Sequence, residues 1–269
     1  MFEHEKLVFL LVIVRLRSIN CAMEERVIGG VDTRIEEYPH SVFLLVKCNA
    51  VWMCGASILN QEILLTAGHC VTSCQVDTDE THIITGYVGH EDLRKVTITR
   101  TAKDLVVHEN YNDYSLENDV AIVMTESIPL SDKSKRVILH CDWSFPNTPI
   151  AYVAGWGIYD ESTPNKGSKI LMSVKQSVKT PEICEVIGYL TPGMFCAGST
   201  RAEDPRAARG DSGSALVYRE FHQIGIVSFK VKSYPALMVY TNVTYYYQWI
   251  QEKSDQLYCK STETTSNQQ

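Results

Sequence analysis

Between residues 42 and 241 the chain alternates short apolar, β-branched runs with clusters of turn residues. The runs are 42–46, 56–59, 63–66, 83–88, 95–99, 120–123, 151–154, 215–218, 223–229 and 238–241. Each is four to seven residues long, which suits strands and is too short for most helices. Many short strands with few helical periods read as an all-β sandwich or barrel. Two stretches differ. Residues 181–187 predict a short helix, and residues 244–257 a longer one, with Tyr247, Ile250 and Leu257 forming an apolar stripe. The polar tail 260–269 is expected to be disordered. No repeat or linker divides the chain, and 269 residues can bury an ample core.

Residues 1–22 read as a secretory signal. An unbroken apolar run covers 7–14, and small residues follow near Ser18, Cys21 and Ala22. Arg15 interrupts the run before it could span a bilayer. Glu3 and Glu5 dilute the positive charge of the amino end, so a retained anchor is the alternative. No other stretch predicts a membrane crossing. Nine cysteines fit an oxidising compartment, and eight remain if Cys21 leaves with the signal. A net charge of -7 and the lack of a basic cluster argue against nucleic acid as a partner.

Three local patterns could carry chemistry. Gly210-Asp211-Ser212-Gly213 puts a serine on a tight turn between glycines, where its hydroxyl is exposed and backbone N–H groups can face an oxyanion. Thr66-Ala67-Gly68-His69-Cys70 places a histidine just after an apolar strand. Glu117-Asn118-Asp119-Val120-Ala121 places an acid just before another. Singly, these are an ordinary turn, a structural histidine and a capping aspartate. In the order His, Asp, Ser they form a nucleophile, a base and an orienting acid, the order of chymotrypsin-type proteases. Farther upstream, Arg26 before Val27-Ile28-Gly29-Gly30 reads either as a cleavage point or as a strand start after a charged turn.

Together with Gly155-Trp156-Gly157, these motifs closely resemble the trypsin/chymotrypsin family of serine proteases from Arg26 to about Ile250. The resemblance implies two six-stranded antiparallel β-barrels packed face to face, a cleft between them and a C-terminal α-helix. It implies a serine endopeptidase acting on protein or peptide substrates; with no cysteine–histidine cluster for zinc and no calcium loop in the sequence, no metal or cofactor is expected. Ser212 would be the nucleophile, His69 the general base and Asp119 its orienter. The N–H groups of Gly210 and Ser212 would form the oxyanion hole. Residues 23–26 would be a short activation peptide, too short for a large regulatory module, ahead of a protease domain at 27–259. Cleavage after Arg26 by a trypsin-like protease would free the amine of Val27 to pair with Asp211. Protein inhibitors are further candidate partners, and a secreted, extracellular location without a membrane is expected. The alternative is a binding or regulatory homologue that keeps the fold without useful turnover.

The same resemblance pairs Cys54 with Cys70 and Cys184 with Cys196. Four cysteines remain and allow three pairings. Cys48–Cys74 is favoured because these two flank the Cys54–Cys70 loop, which leaves Cys141–Cys259. Unbridged or intermolecular thiols are the alternative. Two bridges common in the family are missing as whole pairs, with Ala208 at one site and Ala151 and Tyr218 at the other.

The specificity pocket departs most from the family. Four residues before Gly210, where trypsins carry an aspartate, stands Arg206, with Asp204 nearby if loop lengths shift the alignment. The wall strand reads Ser228-Phe229-Lys230, and Met238 replaces a common glycine. This predicts either a pocket for small or acidic side chains, with Arg206 or Lys230 as counter-charge, or a blocked one, and not trypsin-type Lys/Arg specificity. Ser214 adds a hydroxyl close to the Asp211 site. Asn242-Val243-Thr244 is a glycosylation sequon.

Overall fold

The computed structural model describes residues 28–48, 50–74, 83–142, 149–158, 167–219 and 221–266. The first half of the chain contains β1 (Val31–Asp32), β2 (Ser41–Lys47), β3 (Val51–Ile58), β4 (Ile63–Thr66), α1 (Gly68–Val71), β5 (Ile83–Val88), β6 (Ile98–Val107) and β7 (Ala121–Thr125). Strands β2 to β7 close into a barrel in the order β2-β3-β4-β7-β6-β5. The second half contains β8 (Ile138–Leu139), β9 (Ile150–Gly155), β10 (Met172–Ser177), α2 (Pro181–Cys184), β11 (Met194–Gly198), β12 (Ala215–Tyr218), β13 (His222–Lys230), β14 (Leu237–Asn242) and α3 (Tyr247–Ser266). Its sheet runs β10-β9-β12-β13-β14-β11, and a bridge from Val178 to Ala197 brings the two ends together. The result is the two-barrel, all-β architecture with a C-terminal helix.

Local chemistry explains the tight connections. Asn60 Oδ1 accepts from the N–H groups of Glu62 and Ile63, both at 2.8 Å, and so turns β3 into β4. The barrel then closes over Leu44, Ile58, Ile63, Leu64, Leu65, Ile122 and Val123, all fully buried. Burying each such side chain contributes about 1.5–3 kcal/mol.

Strands that carry polar residues were not read as apolar runs. β6 spans Ile98–Val107 rather than 95–99, because it alternates half-buried with exposed residues. β10 carries Ser173, Lys175 and Gln176 among its apolar residues, and β1 and β8 are two residues each.

Helix α3 packs back onto the first barrel. Tyr246, Ile250 and Leu257 are buried there, so the stripe begins at Tyr246 rather than Tyr247. Trp249 Nε1 donates to Glu109 Oε2 at 2.8 Å, and Lys253 pairs with the same carboxylate at 2.5 Å. Within the tail expected to be disordered from Lys260, the helix continues to Ser266, and 267–269 lie outside the described residues. Lys260 pairs with Asp104 at 2.7 Å, and extending a helix already docked costs little compared with nucleating one.

Three bridges form as expected: Cys48–Cys74, Cys54–Cys70 and Cys184–Cys196. Cys141 and Cys259 do not form the fourth, and both are exposed. Thr244 Oγ1 touches the carbonyl of His140 at 3.1 Å, so the start of α3 lies near Cys141. Cys259 is twelve residues into α3, about 18 Å further along the helix axis at ~1.5 Å per residue. Iodoacetamide added to the native protein should therefore alkylate Cys141 and Cys259 without denaturant. Peptide mapping that finds both protected would restore the bridge.

Candidate active site

The first barrel supplies the base. Chain leaving β4 enters α1, where Gly68 lets the backbone pass Asp119; a Cβ there would lie 3.3 Å from Asp119 Oδ1. His69 follows. Its backbone N–H donates to Asp119 Oδ1 at 2.8 Å, and its Nδ1 meets Asp119 Oδ2 at 2.9 Å. Asp119 is 1% exposed. Ser228, near the end of β13, donates a third hydrogen bond to this carboxylate, to Oδ2 at 2.5 Å. The backbone beside the acid is held as well: Thr241 Oγ1 donates to Asp119 O at 2.8 Å, and Tyr246 donates its phenol to Asn118 Oδ1 at 2.9 Å. Burial alone would lower the His69 pKa, but the charge and hydrogen bond of Asp119 raise it above the ordinary histidine value.

The second barrel supplies the serine. Gly213 has φ +85° and donates to Val227 O at 2.8 Å; a Cβ there would collide with Thr66 Oγ1 and Gly55 O. Gly210 has φ +99°, with Gly157 Cα only 3.1 Å from where its Cβ would stand. Gly55 N–H donates to Ser212 O at 2.7 Å. Both glycines are therefore required by conformation and by space. Ser212 and His69 line the same cleft, of about 420 Å³.

Asp211 points the other way, into the protein. It is 1% exposed and accepts from Gly157 N and Ala208 N, each at 2.8 Å. A Cβ on Gly155 or Gly157 would clash with its carboxylate, which explains the Gly-Trp-Gly motif. Ser214 Oγ lies against the same face of Gly155. Burial raises the Asp211 pKa to about 6 despite these two bonds. The carbonyl of Ile28, the first described residue, accepts from Arg206 N at 3.0 Å. Arg26 and Val27 lie outside the described residues.

A family model for trypsin matches residues 27–250. The chain belongs to the trypsin family. Among curated relatives it is 31% identical to mouse (Mus musculus) transmembrane protease serine 11C, over 85% of this chain and 54% of that protein. It is 27% identical to brachyurin of Leptuca pugilator, over 85% and 98%. It is 29% identical to the vitellin-degrading protease of Bombyx mori, over 87% and 88%. A solved collagenase structure superposes with a TM-score of 0.73 at 22% identity, covering 85% of this chain and 98% of that one. Trypsin-like relatives make the chain a protease by family. No described helix is long and apolar enough to cross a membrane, and the expected signal at 1–22 lies outside the described residues.

Against the trypsin pattern, the pocket residues are arranged differently. Arg206 is 7% exposed, and its Nη1 donates to the carbonyls of Ala202 at 2.6 Å and Asp204 at 3.5 Å. Asp204 pairs outward with Arg201 at 3.7 Å. Met238 is 3% exposed and packs in one apolar cluster with Ala207, Val227 and Tyr240. Lys230 and Phe229 are half-buried at the end of β13, and Lys230 is in register with Met238. Ser228 is turned to Asp119. The Asn242 amide Nδ2 lies 3.5 Å from Pro192 O at a half-exposed position.

The walls of the cleft leave no mark in the sequence. Val51, Trp52 and Met53 on β3 line the cleft together with Arg209 and Gly210. No period or motif marks these residues; only the closeness of the two barrels brings them to Ser212. Cys54, His69 and Cys70 also converge, but both sulfurs are committed to one disulfide, leaving no thiolate for a metal.

Proposed function

We propose that the chain is a secreted serine endopeptidase, made as a precursor and activated by a cut after Arg26. The observation that carries this reading is the hydrogen-bonded line Ser228–Asp119–His69 ending in the cleft that Ser212 shares. His69 Nε2 would take the proton of Ser212 as Oγ attacks the carbonyl. Asp119 fixes the tautomer by accepting from Nδ1 and stabilises the imidazolium. The N–H groups of Gly210 and Ser212 would bind the oxyanion. The proton then passes to the leaving amine, and water repeats the cycle on the acyl-enzyme.

Activation follows from Asp211. In the uncut chain it is a buried carboxyl whose ionisation burial opposes. A new amine at Val27 would supply a counter-charge and lock the oxyanion loop. The activating partner is a trypsin-like protease, and protein inhibitors of the family are the expected antagonists.

On the acyl side, Met238 stands where the family often has a glycine, which favours a small residue before the scissile bond. A peptide library should show at least about tenfold preference for Gly, Ala or Ser over Lys and Arg at that position. Efficient cleavage after Lys or Arg would overturn this.

The direct test is to cut the precursor after Arg26 and treat it with an organophosphonate. Labelling at Ser212 is expected; no label under conditions that modify trypsin would leave a non-catalytic homologue. The pH profile gives an independent check. His69 must be neutral to act, and its pKa is raised. Hence kcat/KM should fall about tenfold per unit as pH drops through a pKa above 6.5.

A further inference from the structure

We propose that substrate selection in this protease is made mainly on the leaving-group side, by a cleft that takes a large apolar side chain followed by an acidic one. The inference rests on the protease reading above and adds the substrate class. On the acyl side, Met238 stands where the family often has a glycine and is 3% exposed, packed with Ala207, Val227 and Tyr240. The cleft of about 420 Å³ at Ser212 is walled by Val51, Trp52 and Met53.

The histidine fixes which part of a substrate this cleft would hold. Nδ1 is turned to Asp119, and Nε2 lies 3.9 Å from Cys70 Sγ, on the cleft side. The leaving amine must receive its proton from Nε2, so the chain beyond the scissile bond starts there. It would then pass Val51, Trp52, Met53 and Arg209, which line the same cleft.

The wall is unusually apolar for an exposed surface. Val51 is 67% exposed and Trp52 is 44% exposed, and both adjoin the nucleophile. An apolar side chain laid on them would remove this surface from water, and an indole face offers a large, rigid contact. Arg209 lines the same cleft and is exposed and cationic. It would favour a substrate carboxylate one or two residues further on.

Peptides with alanine before the scissile bond and varied residues after it provide the test. With the chain cut after Arg26, kcat/KM should rise roughly 10- to 100-fold when the first leaving-side residue changes from Gly to Leu or Phe. Trp52→Ala should collapse that ratio toward one, and Arg209→Glu should invert a preference for Asp over Lys at the next position. Equilibrium binding of the same peptides to Ser212→Ala reads the cleft without turnover, so the inference remains testable if the serine proves inactive. Tighter binding of the Leu and Phe peptides supports it. Equal binding, or rates governed only by the residue before the bond, overturns it while leaving phosphonate labelling of Ser212 intact.

Discussion

Ser212→Ala is expected to lower kcat of the cut chain by about 10⁴- to 10⁶-fold while leaving the fold in place. The residue is held through its backbone. Its carbonyl accepts from Gly55 N at 2.7 Å, and the neighbouring Gly213 N–H donates to Val227 O at 2.8 Å. Its side chain is only half-buried, so loss of one oxygen should change stability by less than about 0.5 kcal/mol. Turnover of a peptide substrate and a thermal melt measured side by side separate the two effects. A variant that keeps more than about 1% of wild-type kcat would remove Ser212 from the role of nucleophile.

Asp211→Asn should cost roughly 100- to 1,000-fold in activity of the cut chain, the effect of a missing oxyanion donor, and should also change the pH dependence of the uncut one. The carboxyl has a folded pKa of about 6 against an ordinary 3.8, because burial opposes its charge. A raised folded pKa means stability that is present below about pH 4 and lost as pH rises toward 6. The loss is on the order of 3 kcal/mol at neutral pH. Asparagine cannot ionise, so this slope should vanish in the variant. Wild type and variant must be compared by difference. Buried His40 has a pKa lowered by burial to about 3, and its contribution is lost in the opposite direction, as pH falls. Denaturant melts of the uncut chain at pH 4 to 7 give the measurement. Parallel curves would show that Asp211 is not a buried, uncompensated acid. In wild type, cutting after Arg26 should recover the lost stability above pH 6, and in Asp211→Asn it should not.

The two variants probe features that were legible to different degrees. The elbow at Ser212 was readable because its requirement is local. Positive φ at Gly210 and Gly213 and close backbone contacts admit no side chain, so the glycines appear in the sequence beside the serine. The bridges Cys54–Cys70 and Cys184–Cys196, which the family resemblance implied, also form. The role of Ser228 was not. It was placed on the pocket wall, yet it donates to Asp119, 109 residues away in the chain. The Cys141–Cys259 bridge was lost because helix length, a three-dimensional quantity, separates its ends.

By itself the sequence determined the strand-rich class, the order His69, Asp119, Ser212 and the glycines that let the serine loop bend. These depend on neighbours within a few residues, whose periodicity and backbone freedom are written in the chain. Only the tertiary structure decided that Met238 turns into the core, that Arg206 faces the carbonyls of its own loop, and that Trp52 and Arg209 flank the nucleophile. Those outcomes depend on which surfaces the two barrels bring together, and side-chain direction follows from long-range packing rather than from residue type.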